Sequence, residues 1–322
     1  MRIGVFTVLY GALPLEQALD RIAALGVRTV ELGAGGYVGT AHCDPAALLA
    51  DAGALQRFRQ ALSERDMTIS ALSHHANPLH PDAAVADAHH ASWRRALELA
   101  QELEVGVVVG FSGCPGDHPD ARRPNWVTCP WPTDFAEILE WQWEERVLPY
   151  WAAEAPRAEA AGVRIGFEMH PGMVVYNPET FFRLRDAAGS AVCCNYDPSH
   201  MFWQGIDPVD TVRDLGRAGA LVHVHAKDTQ LDAGNIRRNG VLDTKPYGDV
   251  LDRSWTFRTI GFGHGEELWR QLLSTLVAVG YDGAVSIEHE DPLMSVDEGL
   301  AKAVRLLEQA LPREAVAEPW WG

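Results

Sequence analysis

The chain has 322 residues, 47% of them hydrophobic, and a formal net charge of −17. This length fits one large α/β domain or two small ones, and the apolar content is sufficient for a sizeable core. An acidic surface repels phosphate backbones, which argues against nucleic acid as a partner but not against a small anionic substrate in a locally positive pocket. No apolar run approaches the roughly 20 residues that a membrane span requires, so we expect no membrane association.

Cysteine usage and the N-terminus indicate a cytoplasmic protein. The odd number of cysteines and the absence of a C-x-x-C pair favour reduced thiols over a disulfide framework. The N-terminal stretch MRIGVFTVLY lacks a basic region and a small-residue cleavage site, and it begins directly with a strand pattern. The five cysteines are Cys43, Cys114, Cys129, Cys193 and Cys194.

Eight short apolar runs alternate with amphipathic helical stretches. In chain order the runs are RIGVFTV, RTVELGA, MTISALSHH, VGVVVGF, VRIGFEMH, AVCCNYD, LVHVHAKD and AVSIEHED. Several helical stretches end in a glycine just before the next run, which is a helix stop followed by a short turn into a strand; these are Gly26, Gly162, Gly189 and Gly280.

Eight β/α alternations predict a parallel sheet, and eight is the number that closes a (β/α)8 TIM barrel. We therefore predict a single α/β barrel domain over residues 1–312. A doubly wound open sheet is the alternative, but no G-x-G-x-x-G follows the first strand, which weakens its dinucleotide-binding version.

Two long connections and a tail interrupt this pattern. Residues 112–134 and 229–264 are irregular and follow strands, so we expect both on the C-terminal face of the barrel, as substrate walls or lids or as packing contacts. The tail, residues 313–322, ends in two adjacent tryptophans, and we expect it to dock on its own barrel or on a neighbouring subunit.

Ionisable residues break the last four strands at their C-terminal ends. Glu168, Asp197, His225 and Glu288 each follow an apolar run, and strand alternation makes them inward-facing neighbours. Three carboxylates and an imidazole in a closed space repel one another and are poorly solvated unless a cation joins them. The pattern therefore predicts a divalent metal site, with Mn²⁺ or Mg²⁺ preferred and Co²⁺, Fe²⁺ or Zn²⁺ also accommodated.

Two points in this prediction have alternatives. A single acid at a strand end is more often a helix cap or a loop ion pair, and Asp197 before a proline could simply begin a turn. Four such residues on successive strands favour the metal. His223 lies one layer deeper than His225, so we interpret it as a supporting imidazole.

These motifs resemble the xylose isomerase-like TIM-barrel superfamily, the sugar phosphate isomerase/epimerase group. The matching pieces cover nearly the whole barrel: SHHANPLHP, FEMHPG, NYDPSH, HVHAKD and SIEHED. The resemblance implies one Mn²⁺-like ion held by Glu168, Asp197, His225 and Glu288. In the ketose 3-epimerases of this group the two metal-bound glutamates also move protons, a role that the resemblance assigns to Glu168 and Glu288.

Other residues are candidates for substrate contact. His200 resembles the histidine that contacts a substrate oxygen in the family, while Lys227 either neutralises an enediolate or pairs with Asp228. A ring of the substrate could stack on Trp126 or Trp131, although both could instead pin the loop. The remaining candidates are His75 and Asn77 on the third strand, His170 after the fifth and Arg258 from the seventh loop.

The resemblance is incomplete. The G-E-x-x-R pattern that follows the seventh-strand histidine of the ketose 3-epimerases is replaced by A-K-D-T. This ending is more similar to the inosose-processing and 3-keto-glycoside-processing branches, and the tryptophan-bearing loops suit a substrate larger than a monosaccharide. The net charge and the absence of a D-x-H after the seventh strand argue against the trinuclear-zinc DNA-repair branch.

We therefore expect a metal-dependent isomerase or epimerase for a keto-sugar, a keto-glycoside or an inosose. The alternative is a lyase that uses the same enediolate to cleave a 3-keto-glycoside or dehydrate an inosose. A non-catalytic sugar-binding subunit on a degenerate barrel is a more remote interpretation. A homo-oligomer, dimer or tetramer, is expected, and a partner subunit is compatible with each interpretation.

Overall fold

The computed structural model describes residues 1–312 and 314, so the predicted docking of the C-terminal tail lies outside the described residues. The strands are β1 Arg2–Phe6, β2 Thr29–Gly36, β3 Thr68–His75, β4 Val107–Gly110, β5 Arg164–Glu168, β6 Val192–Tyr196, β7 Leu221–Ala226, β8 Asp228–Leu231, β9 Trp255–Arg258 and β10 Ala284–Ile287. The α-helices are α1 Leu15–Ala24, α2 Pro45–Ala50, α3 Ala52–Ser63, α4 Ala83–Glu102, α5 Asp134–Trp141, α6 Leu148–Ala160, α7 Pro178–Ala188, α8 Ser199–Phe202, α9 Pro208–Arg217, α10 Ala233–Asn239, α11 Glu266–Ala278 and α12 Val296–Ala310.

Eight of the strands form a closed parallel barrel in the order β1-β10-β7-β6-β5-β4-β3-β2. Closure is made by β1, which pairs on one side with β10 (Arg2 opposite Ala284) and on the other with β2 (Gly4 opposite Thr29). The predicted TIM barrel is confirmed, and the open-sheet alternative is wrong.

The glycines predicted to stop helices have the required backbone conformation. The φ angles are +82° at Gly26, +72° at Gly162, +96° at Gly189 and +76° at Gly280. A residue with a Cβ is strained in this left-handed region, whereas glycine is not, so each helix ends and the chain turns towards the next strand.

The two long connections differ. Residues 112–132 contain no helix or strand, as predicted. The segment 229–264 was predicted to be irregular, which is wrong, because α10 lies within it and β8 and β9 form an antiparallel pair with Asp228 opposite Arg258. The strands of this pair are only four residues long and are separated by α10 and a loop, so no hairpin turn signal marks them in the sequence.

The core lies inside the barrel and between the barrel and its helices. Large side chains fill the outer layer, among them Trp151 of α6 and Trp269 of α11, each 1% exposed. All five cysteines are free. Within residues 1–312 and 314, no helix combines the length and the apolar character that crossing a membrane requires.

Candidate metal centre and active site

The four predicted ligands meet at the C-terminal end of the barrel. Their strands β5, β6, β7 and β10 are consecutive neighbours in the barrel, so the ends of these strands are adjacent in space. Glu168, Asp197, His225 and Glu288 each offer one ligand atom within 4.8 Å of the others. The Nδ1 atom of His225 lies 2.9 Å from Oε2 of Glu288 and 3.3 Å from Oε2 of Glu168.

These separations suit a cation. Neighbouring ligands around an octahedral ion with metal–oxygen distances near 2.1 Å are themselves about 3 Å apart. Two carboxylate oxygens at the site, Asp197 Oδ2 and Glu288 Oε2, are buried and accept no hydrogen bond, although the ammonium of Lys227 lies near both. One ammonium shared between two buried carboxylates compensates their desolvation only in part, and coordination to a cation would supply the rest.

The charge at the site points the same way. Lys227 is 2% exposed, and its Nζ lies 3.0 Å from both Asp197 Oδ2 and Glu288 Oε2. The carboxylates of Glu168, Asp197 and Glu288 against one ammonium leave two negative charges, which one divalent cation neutralises. Three oxygen donors and one nitrogen donor suit Mn²⁺ or Mg²⁺ better than a thiolate-preferring metal. The residues present therefore fit the metal.

The pKa values at the site favour ionised carboxylates. Burial by itself raises the pKa of Glu168, but hydrogen bonds from His200, His225 and His75 outweigh it and hold the pKa well below its ordinary value. Burial also raises the pKa of Glu288, and the positive charges of Lys227 and His225 overcome it in the same way.

A buried glutamate on β2 supports the site from below, and the sequence analysis missed it. Glu31 is fully buried, and its two oxygens lie 3.0 and 3.1 Å from Nε2 of His225. The hydroxyls of Ser73 and Ser286 donate to the same carboxylate. A lone acid inside the apolar run RTVELGA was the available signal, since such a residue is rarely buried without partners.

His223 has the supporting position that the sequence predicts. Its Nδ1 lies 2.9 Å from Oδ1 of Asn195 and its Nε2 lies 3.2 Å from the hydroxyl of Ser70. Burial dominates among the effects that lower its pKa, to about 4, so the ring is neutral near pH 7. Asn195 in turn donates from Nδ2 to Glu168 Oε2 at 3.2 Å and thereby links this layer to the metal ligands.

Three histidines lie around Glu168. His75 donates from Nε2 to Oε2 of Glu168 at 3.0 Å, and His200 donates from Nε2 to Oε1 at 3.1 Å. The ring of His170 packs against that of His200 with centroids 4.3 Å apart, and Glu168, His170 and His200 each offer one possible ligand atom within 4.8 Å of the others. His75 and His200 therefore hold Glu168, and His170 lies beside them.

Lys227 does not pair with Asp228, which was one of the two sequence interpretations. Its ion pairs are with Asp197 and Glu288, and it also donates to Glu290 Oε2 at 3.2 Å. Asp228 faces the other way and accepts hydrogen bonds from the backbone of Gly261, Gly263 and His264.

Two predicted substrate contacts, Asn77 and Arg258, are engaged elsewhere in the protein. Asn77 accepts from the backbone of Leu79 and Cys114 and donates to the carbonyl of Cys114, so it braces the loop after β4. Arg258 donates from Nε to both oxygens of Asp291 at 3.1 Å. The polar groups of these two side chains are therefore used in contacts within the protein. The sequence did not reveal this, because the partners Cys114 and Asp291 are distant in the chain.

Trp126 also has a protein partner. Its ring packs edge-to-face on Tyr176 with centroids 5.5 Å apart, and it borders the aromatic cluster of Trp203, Trp255 and Phe257. The structure therefore does not bring Trp126 to the metal ligands. Trp131, in the same loop, is 74% exposed.

A cavity of about 590 Å³ is lined by residues next to the metal site. Its lining includes His170, Phe257 and Glu290, and the last two contact Lys227: the Nζ lies 4.7 Å from the Phe257 ring centroid. This is the size of a pocket for a small organic ligand.

Comparison with known proteins agrees with this fold. Solved structures of similar shape include a D-tagatose 3-epimerase-like protein (TM-score 0.65, 20% identity, 96% of this chain and 97% of that chain). The probable 3-DHS dehydratase AsbF from Bacillus anthracis is similar over 96% of this chain and 99% of its own, with a TM-score of 0.66 and 12% identity.

A full-length relative is also known. The uncharacterized protein YfiH of Bacillus subtilis (strain 168) is 38% identical over 314 residues, which are 97% of this chain and 99% of the relative. The model of the xylose isomerase-like TIM barrel family matches residues 19–310. The chain therefore belongs to the xylose isomerase-like TIM barrel family.

Proposed function

We propose that this protein is a divalent-metal-dependent isomerase or epimerase that acts on a keto-sugar, a keto-glycoside or an inosose. The observation that carries the proposal is the convergence of two carboxylates, Glu168 and Glu288, on the same ring atom, His225 Nδ1, at 3.3 and 2.9 Å. Such a pair can remove a proton from carbon on one side of a bound substrate and return one on the other.

The metal would be held by Glu168, Asp197, His225 and Glu288, with Mn²⁺ the preferred ion and Mg²⁺, Co²⁺, Fe²⁺ and Zn²⁺ as alternatives. When bound, it polarises the carbonyl and hydroxyl oxygens of an α-hydroxyketone and makes the adjacent carbon-bound proton more acidic. Two observations support this assignment: the four residues offer ligand atoms within 4.8 Å of one another, and one buried oxygen each of Asp197 and Glu288 accepts no hydrogen bond.

The side chains around the two glutamates fit proton transfer. His75 and His200 hold the Glu168 carboxylate by hydrogen bonds to its two oxygens, which fixes its orientation towards the substrate. Lys227 stands 3.0 Å from Glu288 and supplies positive charge where an enediolate gains negative charge. Return of the proton to the opposite face gives epimerisation, and return to the neighbouring carbon gives isomerisation.

Elimination from the same enediolate is the second candidate. The cavity near the metal site offers space for a leaving group. One structure of similar fold is named a probable 3-DHS dehydratase, and dehydration is an elimination. An enediolate that expels a substituent from the next carbon would cleave a 3-keto-glycoside or dehydrate an inosose.

Exchange of the carbon-bound hydrogen tests the shared first step. Metal-loaded protein is incubated in D₂O with a ketohexose, a 3-keto-glycoside and an inosose, and deuterium incorporation is followed by NMR together with epimer, isomer and elimination products. We expect incorporation with at least one substrate and its loss in Glu168→Gln and Glu288→Gln. Exchange with none of these substrates, while ligand still binds, would support a non-catalytic sugar-binding protein instead.

A further inference from the structure

The walls of the 590 Å³ cavity form a built aromatic platform. Tyr247 and Phe257 stack with ring centroids 5.5 Å apart and an interplanar angle of 22°. Trp255 packs against both rings, and the guanidinium of Arg253 lies 4.5 Å from the Tyr247 ring and 4.7 Å from the Trp255 ring. Because Arg253 is only 2% exposed, this stack is anchored in the protein.

Tyr247 is nevertheless 54% exposed, so the platform keeps surface available for a ligand. Pro292, Met294 and Val296 add apolar surface to the lining, which also contains Thr256, His289, Asp291 and Ser295. Glu290, another lining residue, reaches Lys227, which pairs with Asp197 and Glu288. The cavity therefore combines aromatic and apolar surface with a link to the proposed reacting centre.

The volume exceeds what one sugar ring needs. A hexose has twelve non-hydrogen atoms, and at about 30 Å³ each, the share of a water molecule in the liquid, it fills at most on the order of 360 Å³. The cavity offers about 590 Å³, so its volume leaves space for a further group beyond one sugar ring.

We propose that this cavity is a subsite for the second ring of a glycoside, an aryl or pyranose ring with a flat apolar face that stacks on Tyr247. The inference rests on the proposed function and narrows it, since it selects a keto-glycoside over a free keto-sugar or an inosose. Aromatic side chains bind such faces by burying apolar area in a stacked geometry. A ring stacked on Tyr247 would orient the glycosidic bond that joins it to the reacting sugar.

Substrate selectivity of the holoenzyme tests the subsite. The probes are 4-nitrophenyl, glucosyl and methyl 3-keto-glucosides, which share the reacting ring. We expect the wild type to prefer a ring-bearing probe over the methyl glycoside, and Tyr247→Ala to lower this kcat/KM ratio by about 2- to 10-fold. The control Leu251→Ala alters a 90% exposed side chain of the same loop and keeps the ratio. Preference for the 4-nitrophenyl or the glucosyl probe shows whether the second ring is an aryl group or a sugar.

The inference is overturned if the wild type treats the three probes alike or if Tyr247→Ala keeps the wild-type ratio. Calorimetric binding of 4-nitrophenyl glucoside, which has no keto group to react, separates the two proposals. Binding that is weakened in Tyr247→Ala supports the subsite even if no probe is turned over. Turnover without ring selectivity leaves the proposed function and removes the subsite.

A second inference is carried by a different observation, the environment of Glu31. Its two oxygens accept hydrogen bonds from the hydroxyls of Ser73 and Ser286, and both lie within 3.1 Å of Nε2 of His225. A carboxylate in this position acts as the acceptor, so Nε2 is the ring nitrogen that carries the proton. In the neutral ring this leaves the lone pair on Nδ1, which faces Glu168 and Glu288.

The geometry points to Glu31 as a positioning residue that fixes the tautomer and orientation of His225 for metal binding. Ser73 and Ser286 hold the carboxylate in turn, so the support extends over β2, β3, β7 and β10. A carboxylate that accepts the second N–H of a metal-bound histidine raises the basicity of the ligand, and its loss typically weakens metal binding by about 10- to 100-fold.

Mn²⁺ binding to the metal-free protein tests this role without an activity assay. We expect Glu31→Gln to weaken Mn²⁺ binding by about 10- to 100-fold and Glu31→Asp to recover part of the loss. Glu154→Gln is the matched control, since Glu154 is a 3% exposed carboxylate paired with Arg94 in the helical layer. Histidine ¹⁵N spectra provide a second readout, because Nδ1 of His225 is expected to lack a proton in the metal-bound wild type.

Wild-type affinity in a folded Glu31→Gln protein would overturn the positioning role. If that variant fails to fold, Ser286→Ala removes one donor to the carboxylate and should weaken Mn²⁺ binding in the same direction by less. Absence of Mn²⁺ binding in the wild type would instead defeat the proposed function itself.

Discussion

Two kinds of buried carboxylate lie on the same rim of this barrel. Asp228, the first residue of β8, is fully enclosed by donors: its Oδ2 accepts from the backbone of Gly261, Gly263 and His264 and from the indole of Trp269, all between 2.9 and 3.1 Å. Its Oδ1 accepts from His264 Nδ1 at 2.8 Å. This carboxylate fastens the loop after β9 to the barrel.

Asp197 and Glu288 present the opposite case. Each has one buried oxygen without a hydrogen bond, and both depend on the ammonium of Lys227 at 3.0 Å. Buried polar groups are usually satisfied within a protein, so two buried carboxylates that share one ammonium are candidates for binding a cation. The difference teaches that burial alone does not identify a functional acid, and that the number of protein donors around it is a better guide.

The largest expected effect is on turnover. Glu168→Gln and Glu288→Gln keep the shape of the site but remove the groups proposed to move protons, so we expect kcat to fall by about 10²- to 10⁴-fold. Steady-state kinetics measures the loss, and a variant with wild-type kcat would contradict the assignment.

For Asp228→Asn the expected effect is a loss of stability. The amide places a donor where the carboxylate accepted hydrogen bonds, so we expect the free energy of unfolding to fall by about 3 kcal/mol. Asp252→Asn, at an exposed position of the preceding loop, is the control with no expected change. Equal urea midpoints for the two variants would remove the distinction between the two kinds of carboxylate.

Metal binding at the site of Asp197 and Glu288 should stabilise the folded protein. Mn²⁺ at 100 times its Kd should raise the free energy of unfolding by about 2.7 kcal/mol, and EDTA should reverse the gain. Asp197→Asn should lose most of this gain, because the substitution replaces one of the two buried carboxylate oxygens that accept no hydrogen bond. A thermal shift that persists in Asp197→Asn would place the metal elsewhere.

The smallest effect concerns a satisfied buried imidazole outside the proposed ligand set. His74 is 3% exposed and its Nε2 lies 2.6 Å from the hydroxyl of Ser92; burial, followed by nearby positive groups, lowers its pKa to about 3. The unfolded chain therefore binds a proton at His74 below about pH 6.5 while the folded protein does not, so stability falls as the pH drops from 6.5 towards 3.

This contribution approaches about 1.4 kcal/mol per pH unit. We expect His74→Gln to flatten the dependence of unfolding free energy on pH between 6.5 and 5, whereas the control His80→Gln, at a less buried histidine in the loop after β3, keeps the slope. Equal slopes in the two variants would show that His74 is protonated in the folded state.

The sequence predicted the barrel and the donors that meet at its end. Eight apolar runs separated by glycine-stopped helices define the (β/α)8 pattern, and the closed sheet confirms it. Glu168, Asp197, His225 and Glu288 were recognisable because each follows an apolar run, and parallel strands bring such ends to one face.

What the sequence could not predict are pairings between distant segments. Glu31 is an isolated acid in an apolar run, and its partners Ser73, His225 and Ser286 lie 42, 194 and 255 positions away. Likewise the pairing of β8 with β9 turned Lys227 and Asp228 to different sides, although they are neighbours in the chain.

Sequence by itself thus determined the strands of the barrel and which of their ends are polar, because strand alternation and helix periodicity act over a few residues. Tertiary structure decided which polar groups find donors and which are left for a ligand. That decision depends on barrel closure, which places β2 and β10 on either side of β1 and brings Glu31 beneath His225.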